Sequence, residues 1–267
     1  MRITVLGATG MIGSRIAALL EAAGCDVVRA SRASGVDART GRGLAAAVEG
    51  ADAVVDALNL TTLSARQAVD FFAGSAQSVV EAMRAAGVPR LVCVSIAGAA
   101  DPAVNSFFGY YRGKAAQEEV YRHAAAGRQV VILRSAQWYE LIDDLVARAS
   151  LGPFSLLPAM RIAPLAVDSA AARAVREAMG AEDPAPPGTR LTAPPGIRLL
   201  AIRGPEVTTV REAALRIQAT RGVLAGRRRA VMVECPYFGA AMARGGLVPS
   251  DAIVDPVTLD EWLAQQR

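Results

Sequence analysis

The 267-residue chain carries 29 lysines and arginines, and Lys114 is its one lysine. It lies four residues after a tyrosine, in Tyr110-Tyr111-Arg112-Gly113-Lys114. A sequence that uses arginine wherever a positive charge will do keeps a lysine where a planar guanidinium cannot serve. Positions four apart on a helix share one face, so the phenol and the ammonium can act on the same atom. The chemistry this pair offers is proton transfer by a phenol under the influence of a nearby cation.

A second constellation is Gly7-Ala8-Thr9-Gly10-Met11-Ile12-Gly13, placed directly after an apolar amino-terminal run. Each glycine has a mechanical reason: a tight turn, room for a pyrophosphate against the backbone, and close packing of helix on strand. Free N–H groups at the helix start then face the anion. No GxxxxGK[ST] run is present, which excludes a Walker loop. The second strand leads into Ser31-Arg32, where an NAD enzyme would place an acid for the ribose 2′-hydroxyl. An Arg with a Ser suits a 2′-phosphate, so NADP(H) is favoured over NAD(H). Without a ligand to meet, Arg29 and Arg32 read as plain surface charges. Asp26 reads as the solvent-facing start of the strand.

Absences narrow the chemistry further. The single histidine, His123, removes His-paired metal sites, and it reads as a surface residue of a polar helix. No metal site is expected. Cys25, Cys93 and Cys235 are odd in number, far apart and set among apolar neighbours, which suits small buried fillers. A net charge of +4 is modest, and Arg227-Arg228-Arg229 lacks interleaved aromatics, so a solvated turn is expected and no nucleic-acid partner. No run of 18 apolar residues and no signal-peptide pattern is present, so the expectation is a cytoplasmic protein without a membrane partner. A small-molecule substrate is implied, and a homodimer is compatible with the sequence.

These groups must be positioned by alternating elements. Apolar runs at 2–6, 25–30, 52–58, 90–96 and 129–134 predict strands, and helical patterns occupy 12–23, about 65–86 and 110–126. Alternation of this kind predicts an α/β fold, a Rossmann-type doubly wound parallel sheet with ligands at the carboxyl ends of its strands. Residues 1–150 are expected to form the dinucleotide-binding domain, and 151–267 a smaller substrate lobe, with a helix at about 168–180 returning to the first. Ala181 to Gly196 holds five prolines and reads as an exposed excursion. A strand is predicted at 198–203. Thr209-Val-Arg-Glu212 and Thr258-Leu-Asp-Glu261 match the capping box, so each should open a helix.

GxxGxxG at the amino terminus with YxxxK near the middle resembles the short-chain dehydrogenase/reductase superfamily. Gly87-Val-Pro-Arg-Leu-Val-Cys-Val-Ser95, Leu133-Arg-Ser-Ala-Gln-Trp138 and Tyr237-Phe-Gly-Ala, in this order, are similar to its atypical NmrA-like branch. The resemblance covers nearly the whole chain. It implies that Gly7, Thr9, Gly10, Met11, Ile12 and Gly13 hold the pyrophosphate, that Ser31 and Arg32 meet a 2′-phosphate, and that Asp37 meets the adenine edge. Ala57, Leu58 and Asn59, at the end of the fourth strand, would pass beside the nicotinamide ribose. Ser95, Tyr110 and Lys114 match the catalytic set, with Lys114 also a ribose anchor.

The implied activity is an NADP-dependent oxidoreductase that moves hydride between nicotinamide and a carbonyl or quinone-like molecule. Tyr110 would be acid and base, and Ser95 would orient the carbonyl. Lowering a phenol from a pKa of about 10 by about 3 units needs about 4 kcal/mol. An ammonium about 4 Å away at an effective dielectric of about 20 supplies roughly that amount. Phe107, Phe108, Trp138, Tyr139, Phe154 and Met160 are candidates for an apolar substrate pocket. Two alternatives stay open: an epimerase or dehydratase that uses bound NAD(P) transiently, and a non-catalytic NmrA-like redox sensor.

Overall fold

A computed structural model describes the chain except residues 107, 125–126, 152–153, 182–194, 227–230 and 267. The expectations for the proline-rich stretch, the triple arginine and Phe107 therefore lie wholly or mainly outside the described residues. The first half runs β1 (Arg2–Leu6), α1 (Met11–Ala22), β2 (Asp26–Ala30), a 3-10 turn at Arg32–Ser34, α2 (Leu44–Val48) and β3 (Ala53–Asp56). It continues through α3 (Ala65–Ala86), β4 (Arg90–Ile96), α4 (Pro102–Asn105), α5 (Gly109–His123) and β5 (Gln129–Ser135). The second half holds α6 (Leu141–Arg148), β6 (Ser150–Leu151), β7 (Phe154–Pro158), β8 (Arg161–Ile162), α7 (Val167–Ala178) and β9 (Ile197–Arg203). It ends with β10 (Thr208–Thr209), α8 (Val210–Arg221), β11 (Val231–Cys235), α9 (Ala240–Ala243), β12 (Ile253–Val254) and α10 (Leu259–Gln265).

Seven strands pair in parallel in the order β12-β9-β5-β4-β3-β1-β2, the Rossmann-like α/β architecture. From β1 the chain first pairs β2 on one side and then crosses to place β3 on the other, so the order reverses at β1. Leu6 is in register with both Ala30 and Asp56. The loops after all three strands therefore leave the sheet at one edge, where a crevice opens.

Strand alternation sorts the core into two layers. Ile3, Val5, Val55, Val92 and Val94 pack toward α1 and α7, whereas Leu6, Val54, Leu91 and Cys93 pack toward α2, α3 and α5. Close approach of α3 and α5 depends on Gly113, because a Cβ there would lie 2.6 Å from a ring carbon of Phe72.

Two expectations about organisation are corrected. Ala57 to Asn59 follow the third strand, because residues 31–51 form a 3-10 turn, an isolated Asp37–Arg42 bridge and the short α2 instead of a strand. The division at residue 150 also does not separate two continuous units, because β9 and β12 complete the large sheet; α7 packs on α1, the return expected of the helix at about 168–180. The remaining carboxyl-terminal elements build a lobe of their own around Met160, Ile217 and Trp262, with β11-β7-β6 as its small sheet. The capping boxes of Thr209 with Glu212 and Thr258 with Glu261 open α8 and α10 as expected. No described helix is long and apolar enough to cross a membrane.

Candidate active site

At the crevice, β1 ends in Gly7 with φ +75°, and a Cβ there would lie 2.7 Å from the Ala57 carbonyl oxygen. Gly13 is tighter still: its Cβ would sit 2.1 Å from the Gly7 oxygen. The two glycines thus let the first turn of α1 pack onto the end of β1. Gly10 caps α1 without a side-chain hydrogen bond, which leaves the N–H groups of that turn for an anion.

A cavity of about 250 Å³ lies in front of this turn. Gly7, Thr9, Gly10, Ser31, Arg32, Asp37, Ala57, Leu58 and Asn59 all line it, so the structure brings these expected cofactor residues together. Met11, Ile12 and Gly13 follow in the first turn of α1. Ser31 accepts a hydrogen bond from the Ser34 amide at 3.3 Å, and its hydroxyl proton is left for a ligand. Arg32 is exposed and forms no ion pair among the described residues; the same holds for Arg39, which also lines the cavity and which the sequence pattern did not single out. Arg29, by contrast, is spent in a bidentate pair with Glu21 at 2.7 Å. A larger hollow of about 740 Å³ opens at the opposite ends of the strands, but there Arg90 is already committed to Gln129 and the Ala178 carbonyl.

The described geometry fits a nicotinamide dinucleotide: a glycine turn with no Cβ in the way, an uncapped helix start and two unpaired guanidiniums around one cavity. The NAD(P)H-binding family profile matches residues 7–140. The chain belongs to that family.

Solved structures agree on the fold of this family member. A short-chain dehydrogenase/reductase superfamily protein from Agrobacterium tumefaciens, solved with bound NAD, aligns with a TM-score of 0.68 over 99% of this chain and 95% of its own, at 16% identity. The UDP-glucose 4-epimerase of Bifidobacterium longum, in complex with NAD⁺ and UDP, aligns at 0.69 over 99% and 96%, with 14% identity. The UDP-N-acetylglucosamine 4-epimerase of Bacillus cereus aligns at 0.67 over 99% and 97%, with 15% identity. No curated protein matches the chain.

In this NAD(P)H-binding chain, Tyr110 and Lys114 sit on α5 against the buried ring of Phe72. The Tyr110 ring meets Phe72 edge-on at 5.6 Å, and the Lys114 ammonium lies 4.6 Å from the same ring. Phe72 in turn meets Phe71, a wall of the cavity, at 5.2 Å. Tyr110 is half-buried, and its hydroxyl has no hydrogen-bond partner among the described residues. The neighbouring Tyr111 is buried and accepts a hydrogen bond from Gln137 at 3.1 Å, which marks it as packing.

Electrostatics correct one expectation. Burial among aromatic rings pushes the Tyr110 phenol up, and the Lys114 ammonium only partly offsets this. The cation has partners of its own: it donates to the Val94 carbonyl and to Gln117 Oε1, each at 2.9 Å, and to the Leu58 carbonyl at 3.3 Å.

Ser95 is a second correction. It shares the side of β4 that carries Leu91 and Cys93, so it faces α5, where its hydroxyl donates to the buried Glu118 at 2.6 Å. Glu118 also holds Arg134 at 2.6 Å. A hydroxyl engaged in this way is not offered to a substrate carbonyl.

Among the described aromatic residues expected in the substrate pocket, Phe108 makes a ring contact with Tyr110, with centres 6.3 Å apart. It stacks on Phe238 at 4.4 Å, and Tyr237 lies against Phe238, so the aromatic wall continues into the segment after β11. Trp138 bonds Ser135 at 2.8 Å and packs on the sheet core, while Tyr139 and Met160 are buried in the carboxyl-terminal lobe. Phe154 is 60% exposed, because the alternation of β7 turns it and Leu156 outward while Ser155 and Leu157 face in. Phe72 and Phe238, neither of them among the expected pocket residues, are the rings packed against Tyr110 and Phe108.

Proposed function

We propose that this protein is an NADP-dependent oxidoreductase that exchanges hydride with a carbonyl or quinone-like small molecule. The observation that carries the reading is the Tyr110 hydroxyl, unpartnered among the described residues, on a ring that shares Phe72 with the Lys114 ammonium and is linked through Phe72 and Phe71 to the dinucleotide cavity. When bound, the nicotinamide supplies the hydride. Tyr110 supplies the proton: reduction of a carbonyl builds negative charge on oxygen, and a phenol kept neutral by burial is already in the donating form. The Lys114 charge then stabilises the phenolate left behind until it recovers a proton from water. Ser95 has no part in this scheme.

The rings of Phe72, Phe108 and Phe238 near Tyr110 favour a flat, apolar substrate. The unpaired Arg32 and Arg39 support a 2′-phosphate and hence NADP(H), although the neighbouring solved structures carry NAD. Incubation with NADPH and a panel of quinones and aldehydes tests the reading. Net NADPH oxidation that Tyr110→Phe abolishes is the expected result, and oxidation retained by that variant removes Tyr110 from the chemistry.

A second reading is favoured by the 4-epimerase neighbours: a transient oxidation on bound NAD(P), returned to the same substrate. It consumes no cofactor, so an isomerised product without a net change in NADPH would select it.

A further inference from the structure

Four hydrogen bonds close a ring around Lys114. Asp56 Oδ1 accepts from the Leu58 amide at 2.9 Å, and the Leu58 carbonyl accepts from the Lys114 ammonium at 3.3 Å. The ammonium also donates to Gln117 Oε1 at 2.9 Å, and Gln117 Nε2 donates to Asp56 Oδ2 at 2.7 Å, which completes the circuit. Tyr121 braces it by donating to the same Asp56 oxygen at 2.5 Å. Asp56 and Gln117 are fully buried, and Lys114 is nearly so.

Charge explains why the bridge is an amide. A buried ammonium and a buried carboxylate each need a partner, since neither has water to solvate it. Gln117 serves both, with its oxygen toward the cation and its nitrogen toward the anion. A glutamate would set a carboxylate against Asp56, and a leucine would leave both charges short of a bond. All three ammonium protons are thereby used, one of them on the Val94 carbonyl. The longest bond reaches Leu58, a lining residue of the dinucleotide cavity. Asp56 grips that same residue through its amide.

We infer that Asp56 and Gln117 are positioning residues that hold the Lys114 ammonium and the Leu58 peptide as one unit between the dinucleotide cavity and Tyr110. The role rests on the reading of Lys114 as the cation serving Tyr110 and the bound nucleotide. It gives β3 and α5, distant in sequence, a shared part in placing one charge. It also makes the amine available to a cofactor hydroxyl through a single exchange, at Leu58, while Gln117 and Val94 keep it in place.

The sole lysine makes the test direct, because lysine labelled at Nζ and Cε gives one side-chain signal in NMR. In the intact protein the Nζ protons should exchange slowly with water, and NADPH should shift the signal. Gln117→Leu and Asp56→Asn should each speed that exchange about tenfold or more and weaken NADPH binding by about tenfold, the scale of one lost charge-assisted bond. The combined variant Asp56→Asn with Gln117→Glu reverses the polarity of the bridge: the amide at 56 donates to the carboxylate at 117, which still receives Lys114. It should recover slow exchange and most of the affinity, and that recovery separates positioning from simple loss of stability. Rapid exchange in the intact protein, or exchange and affinity unchanged in both single variants, would overturn the proposal. Slow exchange that the single variants abolish, in a protein that oxidises no NADPH with any carbonyl, supports the ring and sinks the oxidoreductase reading alone.

Discussion

The Ser95 hydroxyl donates to Glu118 at 2.6 Å, 23 residues away on α5, and both side chains are buried. The bond fastens the helix that carries Tyr110 to the strand beneath it. Ser95→Ala leaves Glu118 with Arg134 but removes this tie, at a cost of about 1–3 kcal/mol in stability. Thermal unfolding should shift downward, while NADPH affinity stays the same and turnover falls by less than about tenfold. A loss of turnover beyond about a hundredfold with unchanged melting would return Ser95 to the chemistry.

Tyr110 and Tyr111 differ in kind although they are adjacent. Tyr110→Phe should lower turnover by about 10²–10⁴-fold with cofactor affinity preserved, because its hydroxyl is bonded to nothing in the described chain. Tyr111→Phe deletes the bond from Gln137 and leaves that amide buried, so it should cost stability and spare turnover. Steady-state kinetics and melting curves on the two variants distinguish them, and equal effects on both would contradict this division of labour.

Local signals carried most of the fold. The glycine turn, the capping boxes of Thr209 and Thr258, and the stretch from Ala65 to Gly87 are decided by neighbours within a few residues, so the sequence shows them. The bonds of Ser95 to Glu118, Gln117 to Asp56 and Lys114 to Leu58 span 23, 61 and 56 residues. No periodicity records such pairings, which is why Glu118, Asp56 and Gln117 were not legible. Phe154 misled because an aromatic residue reads as buried until the phase of its strand is known. Arg39 is hidden differently: the Asp37–Arg42 bridge folds its turn back over the cavity, and that bridge leaves no strand pattern.

Burial also sets an alkaline limit. Tyr110, Tyr111, Tyr121 and Tyr139 are all pushed above the ordinary phenol value of 10.0, chiefly by desolvation. Below about pH 10 both folded and unfolded chains keep these protons, and stability is unaffected. Above it the unfolded chain releases them first and so binds fewer protons, which makes stability fall as pH rises. Phenolate absorbance beyond that of the exposed Tyr237 should therefore appear together with loss of helical circular dichroism. Four phenolates titrating near pH 10 in a chain that stays helical would show that these rings are not buried.

Gly13 tests how the first turn of α1 is seated. A methyl group there would meet the Gly7 carbonyl at 2.1 Å, backbone against backbone, with no flexible side chain to yield. Gly13→Ala should cost about 1–3 kcal/mol and displace the turn from the pyrophosphate position, so melting temperature and NADPH affinity fall together. Gly24→Ala, at a site with open space, changes stability through its φ of +80° but leaves affinity alone. Affinity retained in Gly13→Ala would mean that the dinucleotide does not use this turn.

Cofactor choice rests on two guanidiniums that nothing else in the described chain occupies. Arg32 follows β2 directly, and Arg39 reaches the same cavity from the Asp37–Arg42 turn, so a 2′-phosphate between them would gain two charge-assisted contacts. Each contact is worth about 1.5–3 kcal/mol, which is roughly ten- to a hundredfold in affinity. Arg32→Ala and Arg39→Ala should weaken NADPH by that factor and leave NADH within about twofold. Arg29→Ala serves as the control, since its side chain is tied to Glu21 and should not affect either cofactor. Added salt should erode the NADPH preference, because both arginines are exposed and their attraction is screened. Fluorescence titrations of the two reduced cofactors at low and high ionic strength read all of this. Equal weakening of NADH and NADPH would assign the arginines to the shared part of the nucleotide and remove the basis for preferring NADP.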